Sequence, residues 1–269
     1  MLRTRVITAV VLATCFLSAL FFAPALWWSL LALAAILGAA HEWSRLWAFD
    51  PAEEFGYLTG TAGIGCIILF VLPPHAASVP SYWLAAVFWL GVSPPWLLNE
   101  WNPVSKWLAA VLGWTILIPV WLALIDLRAL GPLWLLAAMV LVWVADIAAY
   151  FTGHAFGRHK LAPAISPGKT WEGVAGGLVA VLLYAALAIW AWQSVTGESE
   201  PMSPGDWMLL LALAFTLGIM SIVGDLYESA IKRRAGVKDS GMLFPGHGGI
   251  LDRADALLPV LPLAALIFA

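Results

Sequence analysis

The run from Ser229 to Asp255 concentrates groups that could do chemistry. It holds Ser229, Lys232, Arg233, Arg234, Lys238, Asp239, His247, Asp252, Arg253 and Asp255, with Pro245, Gly246, Gly248 and Gly249 between them. Lysine and arginine suit phosphate groups. Carboxylates are hard oxygen ligands of the kind Mg²⁺ takes, a few at a time, beside substrate phosphates. Glycines around His247 let backbone amides approach a ligand closely. A helix starting just after them turns free amides and its dipole toward an anion. The mixture predicts a phosphate-handling, metal-assisted site at a membrane surface, with His247 as a phosphate contact.

Two other stretches belong with this run. Asp225, Glu228, Ser229 and Lys232 follow i, i+3, i+4, i+7 spacing and share one helical face. Asp146 opens a second polar segment, Asp146-Ile-Ala-Ala-Tyr-Phe-Thr-Gly, which continues to Ser166-Pro-Gly-Lys-Thr-Trp-Glu-Gly173. Gly168-Lys169-Thr170 invites a P-loop reading. That reading fails, because Pro163 stands where the upstream glycine is required and no strand is expected before it. Lys169, Ser166 and Thr170 still offer phosphate or nucleotide contacts. Gly173 and Gly177, four apart, predict close helix packing.

The elements that must position these groups are membrane helices. The 269 residues are 62% hydrophobic and only 11% charged, whereas soluble domains are about a quarter charged. The reading is an all-α, polytopic membrane bundle with apolar runs at 5–23, 25–40, 57–73, 82–98, 107–125, 132–151, 173–193, 207–226 and 249–267. Each approaches the ~20 residues that cross a bilayer. Nine spans form a single domain over 1–269, with N-terminal helices in 1–130 and catalytic helices in 131–269. Arg3, Arg5 and Ala23-Pro24-Ala25 resemble a cleavable signal peptide, but a first membrane helix fits the later loops better.

With the N-terminus inside, eleven of the thirteen lysines and arginines fall on the cytoplasmic side, as the positive-inside rule demands. Arg128 falls outside and Arg253 starts the last helix. The loops 152–172 and 227–248 are both cytoplasmic, so Asp146, Asp225, Asp252 and Asp255 share one depth. Intramembrane carboxylates at one level point to a site. The seventeen tryptophans, Trp27, Trp43, Trp101, Trp107, Trp171 and Trp207 among them, suit the headgroup belt. Glu42, Trp43 and Arg45 read as interfacial anchors, since His41-Glu42 lacks the second histidine of a zinc-protease motif. Cys15 and Cys66 lie in apolar runs and do not suggest a disulfide.

The Ser229–Asp255 run resembles the signature of phosphatidate cytidylyltransferases, also called CDP-diacylglycerol synthases. The matching positions are Ser229, Lys232, Arg233, Lys238, Asp239, Pro245, His247, Gly248, Gly249, Asp252, Arg253 and Asp255. The Asp146–Gly173 segment is similar to the family's second polar region. Ala254 departs from the pattern, which carries a larger apolar residue or threonine there. The resemblance implies that CTP and phosphatidate give CDP-diacylglycerol and pyrophosphate with Mg²⁺, and a second metal ion fits the same picture. Asp225 and Asp255 are then the first metal ligands, followed by Asp252 and Asp146. Lys232, Asp239 and His247 join Asp225 and Asp255 as catalytic groups. Ser166, Lys169, Ser229, Arg233, Lys238, Gly248, Gly249 and Arg253 bind substrate. The implied place is a bacterial-type inner membrane, with the site facing the cytoplasm and a homodimer as the expected assembly.

Three rivals remain at this level. A CTP-dependent enzyme acting on another lipid, such as a polyprenol kinase, would show similar groups. An anion transporter would place polar residues near the bilayer midplane in broken helices. A scaffold for anionic lipid explains the lysines but not the ordered aspartates. The small basic patch beside a membrane does not suit nucleic acid.

Overall fold

The computed structural model describes residues 2–73, 75–99, 105–196, 202–243 and 248–268. Most of them are helical. The order is α1 (Leu2–Phe22), α2 (Ala25–Leu46), α3 (Pro51–Phe70), α4 (Ser78–Ala86), a π-helical turn (Val87–Val92), α5 (Ser93–Asn99), α6 (Lys106–Leu130) and α7 (Pro132–Phe156). A hairpin, β1 (Lys160–Ala162) and β2 (Ser166–Thr170), leads to α8 (Trp171–Thr196) and α9 (Pro204–Arg234). The short α10 (Leu251–Ala254) and α11 (Leu257–Phe268) complete the chain.

Local chemistry sets the helix starts. Asp50 accepts hydrogen bonds from the amides of Ala52 and Glu53, and Glu53 reaches back to the Asp50 amide, with Pro51 at the first helical position of α3. Ser203 and Asp206 form the same reciprocal cap on α9, again with a proline next. Such caps satisfy amides that have no partner inside the helix. At the α6–α7 corner Gly131 has φ +150°, and Pro132 opens the next helix; that backbone conformation favours glycine.

Helix α11 sits in the core. Every residue from Leu257 to Ala265 is buried, against α4, α6, α7 and α9. A helix that is apolar all round belongs inside a bundle. Side-chain to carbonyl bonds tie the outer helices together. Trp28 donates to Leu124 O (2.9 Å), Trp121 to Ser29 O (3.0 Å) and Arg128 Nε to Leu20 O (2.7 Å). Tyr227 is enclosed by Phe88, Trp89 and Trp96, with ring centroids 5.4, 5.4 and 5.1 Å away. That cage fixes α9 two residues beyond Asp225.

The structure adjusts several expectations. Among the described residues five helices, α2, α6, α7, α8 and α9, are long and apolar enough to cross a membrane, and α11 is a shorter apolar helix. The run 82–98 is divided by the π-helical turn just before Pro94-Pro95. Proline lacks an amide proton for the regular ladder. The fold is not purely helical, because β1 and β2 pair antiparallel, Lys160 with Thr170 and Ala162 with Ser166. Gly168-Lys169-Thr170 therefore lies on a paired strand within the expected loop 152–172. The loop expected over 227–248 begins at Ala235, since α9 runs to Arg234.

Two of the anchors are also reassigned. Trp43 is 2% exposed and Glu42 is 4% exposed. Trp43 Nε1 donates to Ala109 O at 2.9 Å, so it is a packing residue. Trp27, Trp107 and Trp171 remain exposed, while Trp101 lies outside the described residues.

Candidate active site

Helices α7 and α8 approach closely because their contact is made of small residues. A Cβ on Gly173 would come within 2.8 Å of Ala149 O, and one on Gly177 within 3.0 Å of Ala145 O. The packing expected of this glycine pair is thus present. Beside the contact, α7, α8, α9 and the hairpin enclose a cavity of about 560 Å³. Its walls include Asp146, His154, Ser166, Lys169 and Asp225 among small and apolar residues such as Ala149, Gly153, Val174, Leu178 and Ile222. The cavity wall therefore combines charged groups with apolar surface.

Each charged group has a distinct support. Asp225 lies within α9, and the hydroxyl of Ser229, one turn on, donates to its Oδ1 at 3.4 Å. Lys169 projects from β2, and its Nζ lies 2.5 Å from Asp225 Oδ2. The hairpin is held to α8 by Glu172, which accepts the Arg158 amide (3.1 Å) and sits 2.7 Å from His159 Nδ1. Arg233 ties the hairpin turn to α9, donating to Ile165 O (3.2 Å) and to Val237 O (3.3 Å). The two polar segments of the sequence thus meet.

Asp255 stands at the break between α10 and α11, its Oδ1 accepting the Ala256 amide at 2.8 Å. Gly224 makes this approach feasible, since a Cβ there would meet Asp255 O at 2.5 Å. Asp255 interacts electrostatically with Asp225, Asp146 and Lys169. Three carboxylates and one ammonium thus share a region supplied by α7, β2, α9 and the α10–α11 break.

Asp252, only three residues earlier, belongs to a different cluster. Its Oδ1 lies 2.6 Å from Lys232 Nζ, and its Oδ2 accepts the amides of Ser240 (2.9 Å) and Gly249 (2.8 Å). Lys232 Nζ also lies 2.6 Å from Glu228 Oε2. Glu42 reaches this cluster from α2. It accepts from Ser240 Oγ (2.8 Å) and from the amides of Ile250 (2.8 Å) and Leu251 (2.9 Å). The amides at the start of α10, expected to face an external anion, are therefore met by the protein's own carboxylates. Gly248 has φ +83°, a conformation that glycine adopts at little cost. Lys238, Asp239 and Arg253 are exposed nearby. His247 and Pro245 lie outside the described residues.

Sequence reasoning missed Glu42, Glu172 and His159. Glu42 carried a signal in principle: a carboxylate after an apolar helix, in Ala-Ala-His-Glu-Trp, is costly unless it is paired. Its partners lie some 200 residues away, so local spacing gave no hint of them.

The donor set also bears on a metal ion. Among the described residues no three Asp, Glu, His or Cys side chains form a ready-made metal cage. Mg²⁺ needs no such cage, because it takes one or two carboxylates and completes its shell with water and phosphate. Asp225, Asp146 and Asp255 fit that requirement, and Asp225 already attracts a cation in Lys169.

A bundle of apolar helices, with charged residues lining a cavity among three of them, has the architecture of a membrane protein. The chain belongs to the cytidylyltransferase family, whose model matches residues 3–269. It is 40% identical to the phosphatidate cytidylyltransferase of Pseudomonas aeruginosa, over 100% of this chain and 98% of that one. It is 36% identical to the Haemophilus influenzae protein of the same name, over 97% and 96% of the two chains. A Thermotoga maritima relative, also so named, is 42% identical over 52% of this chain and 51% of its own.

Proposed function

We propose that the chain transfers the cytidylyl group of CTP to phosphatidate, releasing CDP-diacylglycerol and pyrophosphate. The family match across residues 3–269, together with relatives of that name aligned end to end, carries this reading. The cavity agrees with its chemistry. Phosphoryl transfer of this kind needs positioning and charge neutralisation more than covalent help. A phosphatidate oxygen forms a bond to the α-phosphorus of CTP as the bond to the pyrophosphate oxygen breaks. The attacking phosphate is already anionic near neutral pH, so no general base is required.

The side chains divide this work. Lys169 leaves Asp225 to hold triphosphate oxygens, and Ser166 donates to a phosphate from the same hairpin. Val174, Leu178 and Ile222 give the glycerol and acyl portion an apolar wall. Asp225, Asp255 and Asp146 would hold Mg²⁺, which supplies charge neutralisation at the phosphates when bound. Arg233, Lys238, Arg253 and His247 would contribute further phosphate contacts, and Asp239 would orient Lys238. Asp252 and Lys232 act by supporting the segment that carries Asp255.

We read the fold as nine spans with the N-terminus inside, α1, α3, α4–α5 and α11 joining the five long helices. The charge asymmetry of the loops supports this. Hydrogen bonds agree with the threading: Glu42 at the end of α2 meets the start of α10, and Arg128 near the end of α6 meets the end of α1. The site then faces the cytoplasm from the inner membrane, and the glycine-rich helix faces suit a homodimer.

The test is transfer of α-labelled CTP into extractable lipid by purified protein with phosphatidate and Mg²⁺. Label in lipid only with phosphatidate supports the reading. No transfer from α-label, with γ-label entering a prenol instead, supports a kinase and overturns it.

A further inference from the structure

Glu42 is a buried, fully engaged carboxylate outside the cavity. It is 4% exposed and accepts three hydrogen bonds, from Ser240 Oγ and from the amides of Ile250 and Leu251. These donors flank a stretch of some ten residues and include two of the first amides at the start of α10. The protein is built around this carboxylate. A Cβ on Gly241 would come within 2.6 Å of Glu42 Oε1, and one on Gly249 would collide with Glu42 Oε2 and Ser240 Oγ. Ser240 then passes the constraint on. Its amide donates to Asp252 Oδ2 (2.9 Å), and the Asp252 amide donates to its hydroxyl (3.3 Å). Asp252 holds Lys232, and Lys232 holds Glu228.

We infer that Glu42 is a positioning residue: an internal anion, delivered by α2, that fastens Ser240 and the start of α10 to α2 and thereby sets where Asp255 enters the site. This rests on the transferase reading for its effect on turnover, but not for its effect on the segment itself. A carboxylate suits the role because charge-assisted hydrogen bonds to amides are stronger and shorter than neutral ones. Its two oxygens take three donors at once, which a glutamine amide cannot do without turning an N–H toward a donor. Outer residues that orient charged ligands commonly cost about 10-fold to 100-fold in activity when removed. Glu42 touches no cavity wall, so its loss should fall on kcat with little change in KM for CTP, the pattern of a disturbed reacting geometry.

The test compares Glu42→Gln, Glu42→Ala and Gly241→Ala in the full chain, purified in detergent. Three readouts are followed: hydrogen exchange of peptides covering 248–253, steady-state transfer from CTP, and thermal unfolding. The expected result is faster exchange confined to 248–253, with kcat lowered about 10-fold to 100-fold in Glu42→Ala and less in Glu42→Gln. Gly241→Ala, which displaces the carboxylate without removing it, should reproduce the effect. Exchange at 248–253 equal to wild type, or faster exchange with wild-type kcat, overturns the proposal. If Glu42→Ala does not fold, Gly241→Ala and Ser240→Ala decide, and wild-type kcat in both overturns it. A wild-type protein that transfers nothing would sink the function reading, while the exchange comparison would still report on Glu42.

Discussion

Two charged clusters lie close together and differ in how their groups are satisfied. In the cavity cluster Asp146 and Asp225 line open space, and Lys169 is held by one short ion pair. In the clamp cluster Glu42, Ser240 and Asp252 are joined by hydrogen bonds, and Lys232 bridges Asp252 and Glu228 by two buried ion pairs. The difference teaches that a dense run of charged residues need not all face substrate. Asp252 and Asp255 are three residues apart, yet one completes the clamp and the other lies within electrostatic reach of Asp225, Asp146 and Lys169. A charge that can exchange its partner for a ligand is suited to catalysis. One whose partners are all internal is suited to holding shape.

Substitutions should separate the clusters by what they damage. The largest effect on turnover is expected for Asp225→Asn and Asp255→Asn. Each removes a charge from the reacting region, at about 100-fold to 1000-fold in kcat, with the melting temperature near wild type. Chelating divalent ions should abolish transfer as fully, and added Mg²⁺ should restore it. A chelated enzyme that still transfers label would remove the metal from the account. Lys169→Ala should follow, lowering kcat/KM for CTP by about 100-fold; an unchanged value would place the triphosphate elsewhere.

The clamp should respond in the opposite order. Lys232→Met leaves Glu228 and Asp252 buried without their cation, and breaking a buried pair from one side costs about 3–5 kcal/mol. Unfolding measurements should show that loss directly, and a wild-type melting temperature would contradict the clamp. Between the extremes, Gly173→Val drives a side chain into the α7–α8 contact, where overpacking costs about 1–3 kcal/mol. The smallest effect is expected from Glu172→Gln, which weakens the solvent-exposed hairpin tether, read as faster proteolysis of the hairpin with most activity kept.

The helices were legible because apolar runs of sufficient length have few other uses, and the order of the elements follows those runs. The hairpin was not, since Ser-Pro-Gly-Lys-Thr lacks the alternating apolar pattern of a strand and is held by Arg233 and Glu172 from elsewhere. The division within Ser229–Asp255 was also hidden. Residue types and spacing mark both Asp252 and Asp255 as ligands, and only the break before α11 and the Gly224 contact separate them. Glu42 read as an interfacial anchor, because its place at the end of an apolar helix suits both roles.

The most direct measurement is transfer of α-labelled CTP to phosphatidate by wild type and by Asp225→Asn, alongside their melting curves. The account predicts lipid-borne label from wild type, nearly none from the variant, and similar melting temperatures. Full activity in Asp225→Asn, or a variant inactive only because it is unfolded, would contradict the claim that the open cavity cluster carries the chemistry.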